Sequence, residues 1–222
     1  MKTRHESLRK TVLMAVFCAL AYVCVFLFRF KVGFLTFDLK DAVITVASML
    51  LGPVAGLLIS AVVTVLEFLT VSDTGVYGLL MNFLSSAAFA VVAGLIYKFH
   101  KTMQGAIVSL LSAVFSMTAV MLGANLLVTP LFLSTTVEEV VAIIPTLLLP
   151  FNLLKAILNA SLVLIFYKPV SQSVKRFSPY GQEVGTRFRF DKRSWIVVIA
   201  GTVILIAAVV VFLVVLQGEI LI

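Results

Sequence analysis

The stretch "GPVAGLLISAVVTVLEFLT", residues 52–70, decides the fold class, because it holds one ionisable residue, Glu67, among nineteen. A helix needs about 20 predominantly apolar residues to cross a hydrocarbon core of roughly 30 Å. The stretch therefore predicts a transmembrane helix.

The composition of the whole chain agrees with this prediction. Of its 222 residues, 62% are hydrophobic and 12% are charged, and the mean hydropathy is +1.18. A soluble core of this size could not hide so much apolar surface. The apolar stretches lack the two-residue alternation of a membrane β-barrel. We therefore predict an all-α, polytopic membrane protein.

Further apolar stretches predict the remaining helices. A six-helix bundle with a seventh, C-terminal transmembrane helix accounts for spans at about 11–28, 42–51, 52–70, 79–97, 105–127, 140–167 and 195–216. The second span is short for a complete crossing, and Pro145 and Pro150 predict a kink or irregular turns early in the sixth. We divide the chain into a membrane domain at 1–177, a basic cytoplasmic linker at 178–193 and an additional helix at 194–222.

The formal charge of +7 describes topology rather than a nucleic-acid partner, because the basic residues lie beside apolar spans. They gather at the N-terminus, after the fourth span and after the sixth. The positive-inside rule places these segments, including the N-terminus, in the cytoplasm. The stretch "FLTFDLKD", residues 34–41, then becomes an outward-facing loop.

Polar residues inside the sixth span predict a ligand site. Asn152, Lys155 and Asn159 recur at i, i+3 and i+7, which puts them on one helical face. A lysine facing lipid at this depth costs at least ~2.5 to 3.5 kcal/mol, so it should face protein, water or a ligand. Asn125 in the fifth span, with Gly78 and Asn82 around the start of the fourth, adds polar or close-approach positions at a similar depth.

An ammonium and several amides suit a planar heterocycle that carries carbonyls and ring nitrogens. The alternative is that the asparagines are hydrogen-bond links between helices and that Lys155 extends to an interface.

Catalysis has less support. We expect Glu67 to reach the membrane interface rather than pair with Lys155, and Asp38 and Asp41 to serve loop solvation and helix capping. No inward His or Cys cluster predicts a metal site, and no phosphate-binding loop is present. A small intramembrane enzyme using Glu67 or Asp41 with Lys155 remains a rival hypothesis, as does a channel, which would need a continuous polar stripe.

Three stretches in order, "FLTFDLKDAVITVASMLLGPVAGLLISAVVTVLEFL", "TGVYGLLMNFLSSAAF" and "PFNLLKAILNA", resemble a known family. They are similar to the substrate-binding (S) components of energy-coupling factor (ECF) transporters, specifically the riboflavin-binding group. The resemblance covers roughly residues 8 to 177. At 79 and 81 the residues Leu79 and Met81 depart from the family's fourth-helix pattern, which is closer to "GELANF".

The resemblance implies a bacterial plasma-membrane protein that captures riboflavin from outside, performs no chemistry on it and needs no cofactor. It implies delivery through a transmembrane coupling subunit and two ATPases, and a small-residue face for that subunit at Ala15 and Ala19. The substrate-binding residues that it implies are Thr36, Phe37, Gly78, Asn82, Asn125, Asn152 and Lys155. Another vitamin, such as thiamine or a pyridoxine-like ring, is the alternative ligand on the same fold.

Overall fold

A computed structural model describes residues 2–177, 192–215 and 219–221. In chain order the elements are α1 (Lys2–Leu27), β1 (Arg29–Val32), β2 (Leu35–Asp38), α2 (Lys40–Leu51), α3 (Pro53–Thr70), α4 (Gly75–Phe99), α5 (Met103–Leu133), α6 (Val137–Ile143), a π-helical turn (Ile144–Leu148), α7 (Leu149–Phe177), α8 (Lys192–Val215) and β3 (Glu219–Leu221).

The helices confirm the prediction of a polytopic all-α protein. Within the described part of the chain, five segments are long and apolar enough to cross a membrane, namely Ser7–Leu27, Pro53–Thr70, Gly75–Phe99, Met103–Leu133 and Val137–Tyr167. The α8 helix carries a shorter apolar stretch, Val198–Val211. Their outward sides expose large apolar residues, as lipid-facing helices do.

The short α2 helix lies inside the bundle. It contacts α1, α3, α4 and α7, and eleven of its twelve residues are buried. Gly52, whose φ of 101° suits glycine, then turns the chain into α3. Because protein surrounds α2, this helix needs neither the length nor the uniform apolarity of a lipid-exposed span.

The stretch 34–41 was predicted as a loop, and that prediction was wrong, because Leu35–Asp38 is a strand and α2 begins at Lys40. Strands β1 and β2 form an antiparallel hairpin in which Arg29 faces Asp38 and Val32 faces Leu35. Gly33, with φ of 58°, lies in the turn between the strands. The strand β3 adds to the other edge of β1, so that the sheet order is β2-β1-β3.

The sixth predicted span is irregular where its prolines occur. The α6 helix ends at Ile143, a π-helical turn follows over Ile144–Leu148, and α7 continues from Leu149. A proline at 145 lacks the N–H that an unbroken α-helix would use, and π-turns accommodate such interruptions. The turn precedes Asn152 and Lys155 by one to two helical turns.

The α8 helix packs along α7. Gly201 on α8 is buried, and a Cβ atom there would lie 3.4 Å from the Ser161 carbonyl oxygen. Ala208 joins an apolar cluster with Phe151 of α7 and Phe37 of β2. The basic linker predicted at 178–193 lies, for residues 178–191, outside the described residues.

Candidate functional site

A cavity opens between the hairpin and the adjacent ends of α4, α5 and α7. The space between its lining residues, counted out into the solvent at its open mouth, is about 690 Å³. Ligand pockets in proteins are mostly apolar with a few placed polar groups. This cavity has that character, because Met121, Val128, Phe132 and Phe151 share its wall with amides and one ammonium group.

The structure brings most of the predicted binding residues together on this wall. Six of them line the cavity: Thr36, Gly78, Asn82, Asn125, Asn152 and Lys155. Phe37 is placed differently, because its ring is 3% exposed and packs with Val32 and Leu158 in a separate apolar cluster.

The amides of the cavity wall have fixed orientations. Asn152 Nδ2 donates to the Leu148 carbonyl oxygen at 2.7 Å, and Asn125 Nδ2 donates to the Met121 carbonyl oxygen at 2.7 Å. A carbonyl only accepts, so the amide nitrogen must face it and the amide oxygen lies on the other side of the planar group. The oxygen of Asn125 accepts from the Thr129 hydroxyl at 2.8 Å.

Asn159 has a structural role instead. Its oxygen accepts from the Ala42 N–H at 2.8 Å, and its nitrogen donates to the Asp38 and Lys155 carbonyl oxygens. It thereby joins α7 to the first turn of α2, which is the helix-linking role considered for the asparagines.

Behind the cavity wall lies an ion-pair cluster formed by Asp38, Lys40, Asp41, Glu67 and Lys155. Lys155 Nζ lies 3.1 Å from Asp38 Oδ2 and 3.9 Å from Asp41 Oδ2. Lys40 Nζ lies 3.0 Å from Asp38 Oδ2 and 2.7 Å from Glu67 Oε2. The hydroxyls of Ser85 and Ser86 donate to Asp41. Buried charges are tolerated when they are paired and hydrogen-bonded in this way.

Two predictions about the acidic residues were therefore wrong. Asp38 and Asp41 do not solvate a loop: they are 0% and 1% exposed, although Asp38 Oδ1 does accept from the Lys40 N–H at the start of α2. Glu67 does not reach the interface, because it is 1% exposed and pairs with Lys40. One signal was available in the shortness of the second span, because shelter by protein is one way to accommodate a short helix, and it would bury the neighbouring charges as well.

Aromatic rings at the mouth of the cavity were not predicted as site residues. The Tyr77 and Phe132 rings pack edge to face with centroids 5.9 Å apart, and Phe34 lies 6.4 Å from Phe132. All three line the cavity. These rings offer the apolar faces that a flat ligand would contact.

A charged contact ties the hairpin to the turn before α4. Lys31 donates to the Asp73 carboxylate, and Arg29 Nη2 lies 3.5 Å from Asp73 Oδ1. The hydrogen bond from Lys31, with the nearby positive charges, holds the pKa of Asp73 below its usual value. Arg29 also lines the cavity mouth, so this contact fixes one side of the entrance.

The small residues of α1 lie on its outer surface. Ala15 and Ala19 are exposed, whereas Phe17 and Ala21 of the same helix are buried in the core. The pair thus remains accessible to another helix. Among the described residues, no group of three His, Cys, Asp or Glu side chains is arranged to hold a metal ion.

Comparison with known proteins points to transport. The family model described as "ECF transporter, substrate-specific component" matches residues 9–167. The chain is 28% identical over 185 residues to the riboflavin transporter RibU of Staphylococcus aureus (strain TCH60), which covers 79% of this chain and 97% of that protein. A solved structure described as "Structure and mechanism of the S component of a bacterial ECF transporter" matches with a TM-score of 0.66 and 28% identity, over 77% of this chain and 99% of that one.

Proposed function

Because this chain belongs to the substrate-specific component family of ECF transporters, we propose that its cavity binds riboflavin for import. Membership also makes the chain a transport component and not an enzyme, which removes the intramembrane-enzyme hypothesis. The ligand itself is proposed from the relative named as a riboflavin transporter together with the chemistry of the cavity.

The observation that carries the proposal is that Lys155, Asn152 and Asn125 meet in one cavity whose mouth holds three aromatic rings. The ring system of riboflavin is flat, apolar on its faces and rich in carbonyl and nitrogen groups on one edge. Lys155 would donate to that edge, and the outward oxygen of Asn152 would accept from it. The aromatic rings would contact its faces.

Family membership supports the following transport cycle. The N-terminus lies in the cytoplasm of a bacterial cell, the cavity faces outward, and riboflavin enters from outside. A coupling subunit approaches the α1 surface at Ala15 and Ala19, and two ATPases supply the energy for delivery. Small side chains there would let a partner helix approach closely.

Lys155→Met tests the ligand site. The change should raise the dissociation constant for riboflavin roughly ten- to one-hundred-fold, because a hydrogen bond from a charged donor contributes about 1.5 to 3 kcal/mol. Lys155→Met also leaves three buried carboxylates with one ammonium group and should lower stability, so affinity is measured at a temperature at which the variant remains folded. The measurement is quenching of riboflavin fluorescence by purified protein in detergent.

Lys98→Met is the matched control, because Lys98 is exposed on the last turn of α4 and its loss should leave the dissociation constant unchanged. Unchanged affinity in Lys155→Met would remove this lysine from the site. Failure of the wild-type protein to bind riboflavin, with displacement of a copurifying small molecule by thiamine or pyridoxine instead, would contradict the choice of ligand.

A further inference from the structure

Glu67 lies one layer behind the cavity wall, and both of its carboxylate oxygens are engaged. Oε2 accepts from Lys40 Nζ at 2.7 Å, and Oε1 accepts from Asn82 Nδ2 at 3.0 Å. The side chain is 1% exposed. Glu67 is absent from the cavity lining, whereas Asn82 is part of it.

The contact fixes which end of the Asn82 amide faces the cavity. A carboxylate can only accept, so the amide nitrogen must face Glu67. The oxygen is carried on the opposite side of the same planar group. We propose that Glu67 is a positioning residue, which holds Asn82 with its oxygen toward the cavity so that this wall accepts a hydrogen bond from the ligand.

The inference rests on the proposed function for the identity of that ligand. Riboflavin offers a ring N–H and a hydroxylated side chain, and either can donate to the Asn82 oxygen. A ligand that presents only hydrogen-bond acceptors at this wall would face the Asn82 oxygen, another acceptor, and would bind less well. Glu67 thereby contributes to ligand choice without contacting the ligand.

Lys40 makes the effect of a Glu67→Gln substitution specific. The ammonium group only donates, so it needs the oxygen of the new glutamine. The glutamine nitrogen then faces Asn82, and two NH₂ groups would meet. Asn82 relieves this by rotating its amide, which turns its NH₂ toward the cavity and removes the acceptor.

The charge balance of the ion-pair cluster favours a folded Glu67→Gln variant. The wild-type cluster holds three carboxylates and two ammonium groups. The substitution leaves two of each. Loss of ligand affinity in this variant is therefore separable from loss of the fold.

The experiment compares Glu67→Gln with the exchanged pair Glu67→Gln/Asn82→Asp. In the pair, the glutamine nitrogen donates to one oxygen of the new aspartate, and the other oxygen again faces the cavity. Glu67→Gln should raise the riboflavin dissociation constant roughly ten- to one-hundred-fold, and the pair should recover most of that loss. Glu138→Gln, the same chemical change at an exposed position on α6, should have no effect.

Wild-type affinity in Glu67→Gln would overturn the inference. The inference would also be overturned if Glu67→Gln and the exchanged pair bound riboflavin equally weakly while both unfolded at the wild-type temperature. Affinity would then not depend on an oxygen at position 82 that faces the cavity. Failure of wild-type protein to bind riboflavin would instead contradict the proposed function.

A measurement without ligand decides the positioning role in either case. Asn82→Asp alone sets two carboxylates against each other and should unfold at a markedly lower temperature, whereas the exchanged pair should unfold close to wild type. Equal unfolding temperatures for Asn82→Asp and the exchanged pair would mean that residues 67 and 82 do not interact as described.

Discussion

The ammonium group of Lys40 connects two walls of the cavity without lining it. On one side it contacts Glu67, which holds Asn82 of α4; on the other it contacts Asp38, which pairs with Lys155 of α7. The side chain is 0% exposed. Removing one partner of a buried ion pair destabilises a protein much more than replacing both partners by apolar residues, because the other charge remains buried without a partner.

We therefore expect Lys40→Met to lower the free energy of unfolding by about 3 to 5 kcal/mol, since Glu67 would lose its cation inside the protein. Thermal unfolding in detergent, followed by loss of the monodisperse species, measures the effect. Lys98→Met removes the same charge from an exposed site and should unfold at the wild-type temperature. A Lys40→Met protein as stable as that control would mean that the ion-pair cluster contributes nothing to stability.

At individual positions the sequence predicted more about the amides and Lys155 than about the acids. A polar residue in an apolar span must face something polar, and this constraint singled out Asn125, Asn152 and Lys155. Asp38 and Glu67 stand near predicted span ends, where sequence alone cannot distinguish a buried carboxylate from one that reaches water. Whether such a carboxylate is buried depends on partners far away in the sequence: Glu67 pairs with a lysine 27 residues away, and Asp38 with one 117 residues away. The spacing of residues along one helix does not reveal such pairs.

Among the elements, the helix α2 depends on close contact with its neighbours. Ser48 Oγ donates to the Ala90 carbonyl oxygen at 2.6 Å. A Cβ atom at Gly94 of α4 would overlap Ser48 Oγ and lie 3.0 Å from the Ser48 carbonyl oxygen, and one at Gly56 of α3 would lie 2.6 Å from Ser48 Cβ. Glycines thus let three helices meet around one serine.

Gly94→Ala should accordingly destabilise the protein by about 1 to 3 kcal/mol, because the backbone of α2 as well as the serine must shift. Gly123→Ala is the matched comparison, since a Cβ atom there meets no atom within 4 Å and alanine favours helix by roughly 0.5 to 1 kcal/mol. Unfolding temperatures of the two variants should move in opposite directions. Similar shifts for both would contradict the close contact.

The sequence predicted the type of secondary structure where a long apolar stretch requires a membrane-spanning helix, and was less informative elsewhere. The long helices α3, α4 and α5 follow from runs of apolar residues. The hairpin did not, because each strand has only four residues and its pairing is fixed by the turn at Gly33 and by neighbouring elements. The π-helical turn followed from Pro145 as an irregularity, but its type depends on the surrounding packing.

For the whole molecule, the C-terminal part returns to the cavity end of the bundle. The family match ends at residue 167, whereas α8 continues along α7 and β3 pairs with β1, with Arg29 opposite Leu221 and Lys31 opposite Glu219. An added strand satisfies backbone groups at an otherwise open edge. The C-terminal residues thereby support the hairpin that forms one side of the cavity.

A chain that ends at residue 218 should lose this support. Backbone amides of β1 that β3 protects should exchange with deuterium faster than in the full chain, while amides in the middle of α5 should be unaffected. Exchange followed by mass spectrometry of the peptide containing residues 29–38 measures the change. Equal protection with and without residues 219–222 would contradict the pairing of β3 with β1.

The hydrogen bonds that orient the cavity amides have a consequence for binding strength. Asn82, Asn125 and Asn152 are each held by a hydrogen bond to an acceptor of the protein itself. Immobilising a free side chain on association costs about 0.5 to 1.5 kcal/mol. Folding has already removed that conformational entropy at three positions, so the cavity is preorganised. Binding to these ordered amides should therefore be more favourable by roughly 1.5 to 4.5 kcal/mol than binding to flexible ones, which is about one to three powers of ten in affinity.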